Sequence, residues 1–148
     1  MKDVLKIVKK NKNAQTPYRA TSGSAGLDLC ACIEEPVCIA PQQLVKVPTG
    51  IAISLPSKNY VALVFARSGL GIKHGISLAN GVGVIDSDYR GEVCVGLCNL
   101  SSEPYTIQPG ERVAQMVIMP TCPLDIQEVD ELDSTSRGES GFGSTGKL

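Results

Sequence analysis

The stretch EVCVGLCNL, Glu92 to Leu100, decides the fold class because its apolar residues alternate with small ones. Val93, Val95 and Leu97 occupy every second position, and cysteine or glycine lies between them. Successive side chains of a β-strand point to opposite faces, so a period of two predicts a strand with one buried face. The same alternation recurs in GIAISL, Gly50 to Leu55, which predicts a second strand of this kind.

Further short runs are typical of strands, and turn residues separate them. The chain has 15 glycines and 9 prolines, which punctuate it at short intervals. Many short strands with frequent turns favour an all-β sandwich, jelly roll or barrel. One segment, Ser68–His74, is expected to make one or two helical turns. The other strand-like runs are Val4–Val8, Leu27–Cys32, Gln43–Val47, Tyr60–Phe65 and Val113–Met119.

Length, charge and hydropathy bound the function. A chain of 148 residues fits a single domain, and 43% hydrophobic residues suit a globular core. The net charge of −1 provides no general attraction to nucleic acid or to an anionic membrane, so we expect neither as a partner. No apolar run approaches the ~20 residues of a membrane span, and MKDVLKIVKK does not resemble a signal peptide. We therefore expect a cytoplasmic protein.

The six cysteines do not predict a metal site. No two of them form a Cys-x2-Cys pair, and the single histidine, His74, has no obvious metal-binding partner in the sequence. Small buried thiols in a reducing compartment are the favoured interpretation.

The segment Ala79–Val93, ANGVGVIDSDYRGEV, combines turn residues with groups that do chemistry. Two strand-like pieces flank an acidic turn, which predicts a hairpin. Asn80 offers an amide with a donor and an acceptor, Asp86 a general base, and Tyr89 a flat ring. The alternative is ordinary turn chemistry, because Asn, Asp, Ser and Gly favour turns.

Three further polar positions stand beside apolar strands. Arg67, Ser68 and Gly69 follow one strand, where a starting helix would direct free N–H groups at an anion; a helix cap and a surface ion pair are the alternatives. Gln115 shares a predicted strand face with apolar residues, so its amide must find a partner in the core or in a ligand. Asp28 interrupts the apolar run AGLDLCA, and a buried carboxylate there would need an arginine or a hydrated cation.

The last residues, Arg137 to Leu148, read RGESGFGSTGKL. Glycines let backbone N–H groups converge on phosphate oxygens, and arginine matches phosphate with a planar charged fork. Gly141-x4-Gly146-Lys147 nearly spells a P-loop but lacks the following Ser or Thr. The segment is therefore either a phosphate-binding lid or a disordered, solubilising tail. The acidic stretch Leu124–Ser136 is interpreted as an extended arm that leads to it.

Taken together and in order, five segments resemble the motifs of the trimeric dUTP nucleotidohydrolases, or dUTPases. The resemblance runs from about Thr21 to Gly146, almost the whole chain. The five segments are AGLDL at 25–29, RSGL at 67–70, GVIDSDYRGEV at 83–93, ERVAQ at 111–115 and RGESGFGSTG at 137–146.

The resemblance implies a fold and an activity. It implies a distorted jelly-roll domain over residues 1–130 and a flexible arm over 131–148 that closes over the active site of a neighbouring subunit. The protein would be a homotrimer whose three subunits all contribute to each site. It would use Mg²⁺ to hydrolyse dUTP to dUMP and pyrophosphate, which keeps uracil out of DNA and supplies dUMP for thymidylate synthesis.

The resemblance also implies roles at the nucleoside end of the substrate. Asp86 would deprotonate the water that attacks the α-phosphorus, and Tyr89 would pack against the deoxyribose and exclude a 2′-hydroxyl. The backbone of a hairpin, with the Asn80 amide, would pair with uracil and leave no room for the methyl group of thymine. That backbone includes Gly83 and Val84.

At the phosphate end, Ser68, Gly69 and Gln115 would contact the phosphate chain, with Arg67 beside them. Asp28 would lie near the water shell of the metal and near the pair Arg67 and Arg112, and no side chain would bind the metal directly. A third subunit would contribute Arg137 to the γ-phosphate and Phe142 to cover the base. Backbone groups of Gly143, Ser144 and Thr145 would complete the lid.

Three other functions are open. A dCTP deaminase shares this fold and nucleotide class but should lack the glycine-rich end and carry a catalytic glutamate. A dUTPase-like regulator would bind a protein partner, usually through an inserted segment, and none is evident between the motifs. A structural jelly-roll protein would not need Asp86, Tyr89, Arg137 and Phe142 together.

Overall fold

The computed structural model describes residues 3 to 141, and β-strands dominate this part of the chain. Eleven strands and one short helix follow one another in the described part. In chain order they are β1 (Lys6–Lys9), β2 (Leu27–Cys30), β3 (Val37–Ile39), β4 (Leu44–Pro48), β5 (Ile51–Ser54), β6 (Tyr60–Phe65), α1 (Ser68–His74), β7 (Ile76–Leu78), β8 (Gly83–Ile85), β9 (Cys94–Asn99), β10 (Tyr105–Ile107) and β11 (Arg112–Pro120).

Every strand pairing is antiparallel, and most neighbours in a sheet are distant in sequence. The largest sheet has the order β2-β11-β6-β8, and a second has the order β4-β9-β7. Two strand pairs, β1-β5 and β3-β10, complete the arrangement. The all-β prediction is confirmed, and the expected helical turns at Ser68–His74 match α1 residue for residue. That helix ends at Gly75, which adopts a left-handed conformation.

The alternation in β9 positions the core. Val93, Val95 and Leu97 are each no more than 3% exposed, as the period of two predicts. Full burial of side chains of this size contributes about 1.5–3 kcal/mol each. Cys98, expected on the opposite face, is 9% exposed as well, and its Sγ donates to the carbonyl of Ser77, the residue opposite it in β7, at 3.6 Å.

The predicted hairpin around the acidic turn was wrong in its pairing. β8 pairs with β6, whereas β9 pairs with β4 and β7. The acidic turn therefore carries the chain from one sheet to another. Strand β8 has only three residues and pairs with β6 at the edge of the larger sheet. The local sequence does not indicate this long-range pairing.

Asn99 supports the core without any signal in the sequence. It is fully buried, and its Nδ2 donates to the carbonyls of Ile39 and Glu103 at 2.9 and 2.7 Å. Its Oδ1 accepts hydrogen bonds from the backbone N–H and the hydroxyl of Ser101. Because every polar atom has a partner, this buried amide fixes three chain segments at little cost.

The cysteines match the expectation of small buried thiols only in part. All six are free, and Cys38 and Cys122 are exposed. Cys38 is the exposed middle residue of β3, and Cys122 follows the end of β11. Burial raises the pKa of the Cys94 thiol, and the nearby carboxylate of Glu92 raises it further.

After β11 the described chain forms no further strand, and residues 122–140 are exposed. The division into a domain over 1–130 and an arm over 131–148 stays a prediction. Among the described residues, no helix has the length and apolar character needed to cross a membrane.

Candidate active site

A cavity of about 350 Å³ lies between β8 and β9. It brings together five residues that the resemblance assigns to the nucleoside: Asn80, Gly83, Val84, Asp86 and Tyr89. They meet because the chain turns at Gly81 (φ 72°), enters β8, and then crosses the acidic turn back towards β9.

Strand β8 presents a free backbone edge within the described structure. It is the outermost strand of its sheet, and β6 occupies its other side. A strand at a sheet edge carries unpaired N–H and C=O groups that can pair with a flat, polar ligand. Asp86 follows directly, is exposed, and its carboxylate makes no hydrogen bond or ion pair with the described residues.

Tyr89 is fixed by its own turn. Its hydroxyl donates to the Glu92 carbonyl at 3.0 Å, and its ring folds back over Gly91. A Cβ on Gly91 would lie 2.3 Å from the tyrosine oxygen, closer than real Cβ atoms approach. Arg90 adds a second brace, since its Nη1 donates to the carbonyls of Ser87 and Tyr89. The turn thus holds one face of a flat ring to the cavity.

A second cavity, of about 290 Å³, lies where β2, β11 and the end of β6 meet. Its lining includes Asp28, Arg67, Ser68, Arg112 and Gln115, which the resemblance assigns to the phosphate chain and its surroundings. Gly69 is next to Ser68 in α1 and is exposed, with open space around it.

Asp28 and the two arginines form a closed ring of contacts. Arg67 Nε is 3.1 Å from Asp28 Oδ1, and Arg112 Nη1 is 3.1 Å from Asp28 Oδ2. Arg67 Nη1 also donates to the Arg112 carbonyl at 3.2 Å. The expectation that a buried Asp28 needs an arginine is confirmed, since it is 8% exposed and has two. One carboxylate between two guanidinium groups leaves a net positive charge beside the cavity.

The ring changes the proton affinity of its neighbours. The hydrogen bond to Asp28, and then the charge of that carboxylate, raise the pKa of Arg112. Burial, and then the charge of Asp28, raise the pKa of the adjacent Cys30 thiol. Cys30 is therefore a neutral core thiol behind the ring.

Gln115 finds its partner at the end of β6. Its Nε2 donates to the Ala66 carbonyl at 3.0 Å, and a Cβ on Gly26 would lie 2.5 Å from its Oε1. Glycine at position 26 is thus required for the amide to sit where it does. Ser68 does not cap α1, because Arg67 is the N-cap residue and no side chain caps the helix. The Ser68 hydroxyl is exposed at the second cavity.

No residue between 3 and 141, the part that the structure describes, lines both cavities. Within this chain the five nucleoside residues and the phosphate residues form separate groups. Arg137 contacts neither cavity; its Nε donates to the Ser140 carbonyl at 2.8 Å in a turn of the exposed arm. Phe142, Gly143, Ser144 and Thr145 lie outside the described residues.

Several lining residues were missed by the sequence analysis. Lys46, Glu92 and Cys94 line the first cavity, and Ser24 and Gly26 line the second. Lys46 is opposite Gly96 in the β4–β9 pairing, and only that long-range register brings it to the site. Gly26 could have been noticed, because it precedes Asp28 within the same apolar run.

The described residues contain no cluster of three side chains suited to hold a metal ion. Of the described acidic residues, only Asp28 lines the second cavity. A single carboxylate suits Mg²⁺ that retains water and is bound mainly through phosphate oxygens, because Mg²⁺ loses its water reluctantly. The donor set thus fits a metal that arrives with a phosphate ligand.

Known proteins resemble this chain over nearly its whole length. It is 52% identical over 139 residues to a deoxyuridine 5'-triphosphate nucleotidohydrolase of Desulfitobacterium hafniense, covering 94% of this chain and 92% of that protein. It is 55% identical over 130 residues to one of Neisseria gonorrhoeae, covering 88% and 87%.

Solved structures agree with the sequence relatives. The dUTPase of Staphylococcus bacteriophage 80alpha with dUPNHPP matches with a TM-score of 0.87 at 30% identity, covering 97% of this chain and 98% of that one. A mutant dUTPase of phage phi11, whose structure shows the coordination of a structural Mg(II) ion, matches with a TM-score of 0.78 at 26% identity, covering 86% and 97%. The dUTPase family model matches residues 12–146, and this chain belongs to the dUTPase family.

Proposed function

We propose that this protein hydrolyses dUTP to dUMP and pyrophosphate by attack of water on the α-phosphorus. The reaction would keep uracil out of DNA and supply dUMP for thymidylate synthesis. The observation that carries the proposal is the separation of residues by role, with nucleoside residues around one cavity and charged phosphate residues around the other. Family membership supports the same reaction.

At the nucleoside end, the free edge of β8 would pair with the polar edge of uracil, and Asn80 would add its amide. Val84 is exposed in this edge strand, so its backbone is accessible to a base. Tyr89 would lie against the deoxyribose. Its ring has little freedom to retreat from a 2′-hydroxyl, because Glu92 and Gly91 fix it. A rigid wall rejects an added group by steric clash, which gives selectivity for deoxyribose.

Asp86 would act as the general base. It is exposed, lines the first cavity and makes no hydrogen bond or ion pair with another described side chain, so its carboxylate is available to a water molecule. A positioned base contributes roughly 10²–10⁴-fold to the rate. Alignment of water and phosphorus and neutralisation of charge must supply the rest.

At the phosphate end, Arg67, Ser68 and Gln115 would hold the phosphate chain. Mg²⁺ would be the cofactor, bound through phosphate oxygens and water, with Asp28 in its outer shell and no direct protein ligand. When bound, the ion would neutralise charge on the phosphates. The exposed Ser68 hydroxyl and the positive ring of Arg67, Asp28 and Arg112 support this assignment.

We propose a homotrimer in which each site combines the first cavity of one subunit, the second cavity of another, and the arm of a third. Among the described residues, the two cavities have no lining residue in common, which supports a site assembled from more than one copy. Arg137 and the lid residues 142–145 would close on bound substrate and exclude water. Six free thiols suit a reducing compartment, which supports action in the cytoplasm.

The test is pyrophosphate release in the presence of Mg²⁺, with dUTP, dTTP, dCTP and UTP offered separately. Turnover of dUTP alone would support the assignment of β8 and Tyr89 as readers of uracil and deoxyribose. Ammonia released from dCTP would instead indicate a deaminase. Asp86→Asn should retain dUTP binding and lose turnover by at least about 10²-fold, so an active variant would exclude Asp86 as the base.

A further inference from the structure

Glu111 is half-buried and makes four hydrogen bonds through its side chain and backbone. Its Oε1 accepts a hydrogen bond from the Tyr105 hydroxyl at 2.5 Å, and its Oε2 accepts one from the Gln108 backbone N–H at 2.9 Å. Its backbone N–H donates to the Gln108 carbonyl, and its carbonyl accepts from the Ala31 N–H. The residue before Arg112 is therefore fixed on both its side chain and its backbone.

The position of Arg112 depends on this anchor. The strand register shifts between Arg112 and Ala114, so regular β2–β11 pairing does not by itself fix the backbone there. The same residue contributes twice to the ring around Asp28, through its guanidinium and through its carbonyl, which binds Arg67. A small movement of this backbone would displace both arginines.

Tyr105 joins the two elements that carry those arginines. Its hydroxyl contacts Glu111 at the start of β11, and its ring lies 4.8 Å from the His74 ring, centroid to centroid. His74 is the last residue of α1, and Arg67 is the N-cap residue of that helix. One side chain thus braces α1 against β11.

The hydroxyl remains a donor over the whole physiological range. Burial, and then the hydrogen bond and the charge of Glu111, raise the pKa of Tyr105 to about 12. The positive charge of Arg67 acts in the opposite direction, so its field reaches the tyrosine.

We propose that Tyr105 and Glu111 form a positioning pair that holds Arg67 and Arg112 in the arrangement that receives the phosphate chain. The pair does not touch substrate. It acts through the backbone of Arg112 and through α1, and its importance for turnover rests on the proposed function of the second cavity as a phosphate site.

Two substitutions test the pair, and a third is a matched control. Tyr105→Phe removes the hydroxyl and keeps the ring beside His74. Glu111→Gln keeps an acceptor for the hydroxyl and loses the one for the Gln108 N–H. Tyr60→Phe removes a similar bond, from a tyrosine hydroxyl to the carboxylate of Asp3, at a third cavity that contains none of the proposed site residues.

The measurements are KM and kcat for dUTP, calorimetric Kd values for dUPNHPP and for deoxyuridine, and the midpoint of urea unfolding. We expect both test variants to raise KM for dUTP and Kd for dUPNHPP by about tenfold, since small displacements of positioning groups have large effects. The affinity for deoxyuridine, which has no phosphate, should stay the same. The control should match the unmodified protein in all of these values.

Three results would overturn the proposal. The first is unchanged KM in both test variants, and the second is an equal loss of affinity for dUPNHPP and deoxyuridine, which would indicate general damage. The third is an equal loss in the Tyr60→Phe control. If Tyr105→Phe does not fold, the KM and Kd values of Glu111→Gln alone decide whether the proposal holds.

Failure of the proposed function would look different, because the unmodified protein would then release no pyrophosphate from dUTP. In that case the binding of inorganic tripolyphosphate still tests the pair. Weaker binding in the two test variants than in the control would uphold it, and equal binding would overturn it.

Discussion

Asp28→Asn should destabilise the protein even though the substitution preserves size and shape. The native carboxylate is 8% exposed and lies 3.1 Å from a nitrogen of each arginine. An asparagine there keeps one acceptor, turns its NH₂ group towards a cation, and leaves Arg67 and Arg112 to repel each other. Two arginines held together by the Arg67 contact with the Arg112 carbonyl would have no counter-charge.

The magnitude follows from the burial of the carboxylate. Removal of one partner of a fully buried ion pair costs about 3–5 kcal/mol. The side chains of Arg67 and Arg112 are 26% and 42% exposed, so water compensates part of that loss. We expect the free energy of unfolding to fall by about 2–3 kcal/mol. For a chain of this length the melting temperature should fall by roughly 5–10 °C.

Urea unfolding at fixed protein concentration measures the change, since an oligomer gains stability with concentration. The matched control is Asp86→Asn, the same chemical change at an exposed carboxylate with no partner among the described side chains. The control should change stability by less than about 0.5 kcal/mol. High salt should reduce the deficit of Asp28→Asn by screening the two arginines. If Asp28→Asn proves as stable as the control, the ring does not contribute the energy inferred here.

Three other changes test separate parts of the structure. Gly91→Ala should push the Tyr89 ring out of place, raising KM for dUTP by about tenfold and weakening discrimination against UTP; unchanged selectivity would contradict the role of that glycine. Between pH 10 and 12 the free energy of unfolding should fall by up to about 2 kcal/mol more than it does in Tyr105→Phe. The reason is that the folded protein keeps a proton on Tyr105 that the unfolded chain loses above its ordinary pKa of 10; the same pH dependence in both proteins would exclude a raised pKa of Tyr105. Truncation after Ser136 should abolish most turnover of dUTP while the urea midpoint stays the same, since the last described strand ends earlier; full turnover by the shortened chain would exclude a lid.

The fold class was predictable because period two is a local property. Val93, directly before β9, and Val95 and Leu97 within it occupy every second position, and all three are buried. The three-residue strands β3, β7 and β10 contain too few residues to show any period, and the sequence analysis missed them. Their partners lie elsewhere in the chain, so only tertiary pairing defines them.

One residue that lines the second cavity, Asp28, was predictable for a different reason. Asp28 stood out because a carboxylate inside an apolar run requires a cation, and that requirement is chemical rather than geometric. Its partner Arg112 is 84 residues away, and the structure brings the two together. The supporting residues carry no comparable signal. Tyr105 and Glu111 look like an ordinary aromatic residue and an ordinary surface acid until the fold brings Tyr105, the first residue of β10, to Glu111, the residue before β11.

The register of the β2–β11 pairing explains why the supporting residues Tyr105 and Glu111 matter as much as the charged residues. Asp28 is opposite Gln115 in the β2–β11 pairing, and Cys30 is opposite Arg112. A slip of one residue would turn Leu29 towards the cavity and bury Asp28 away from both arginines, because neighbouring side chains of a strand point to opposite faces. The described β2–β11 pairing departs from regular register between Arg112 and Ala114. Glu111, which directly precedes Arg112, is hydrogen-bonded to Tyr105, Gln108 and Ala31. These bonds fix the backbone next to the point where the regular strand pairing is interrupted. The identity of the site is therefore encoded locally in its charged residues, whereas its geometry is encoded in long-range contacts that only the folded chain reveals.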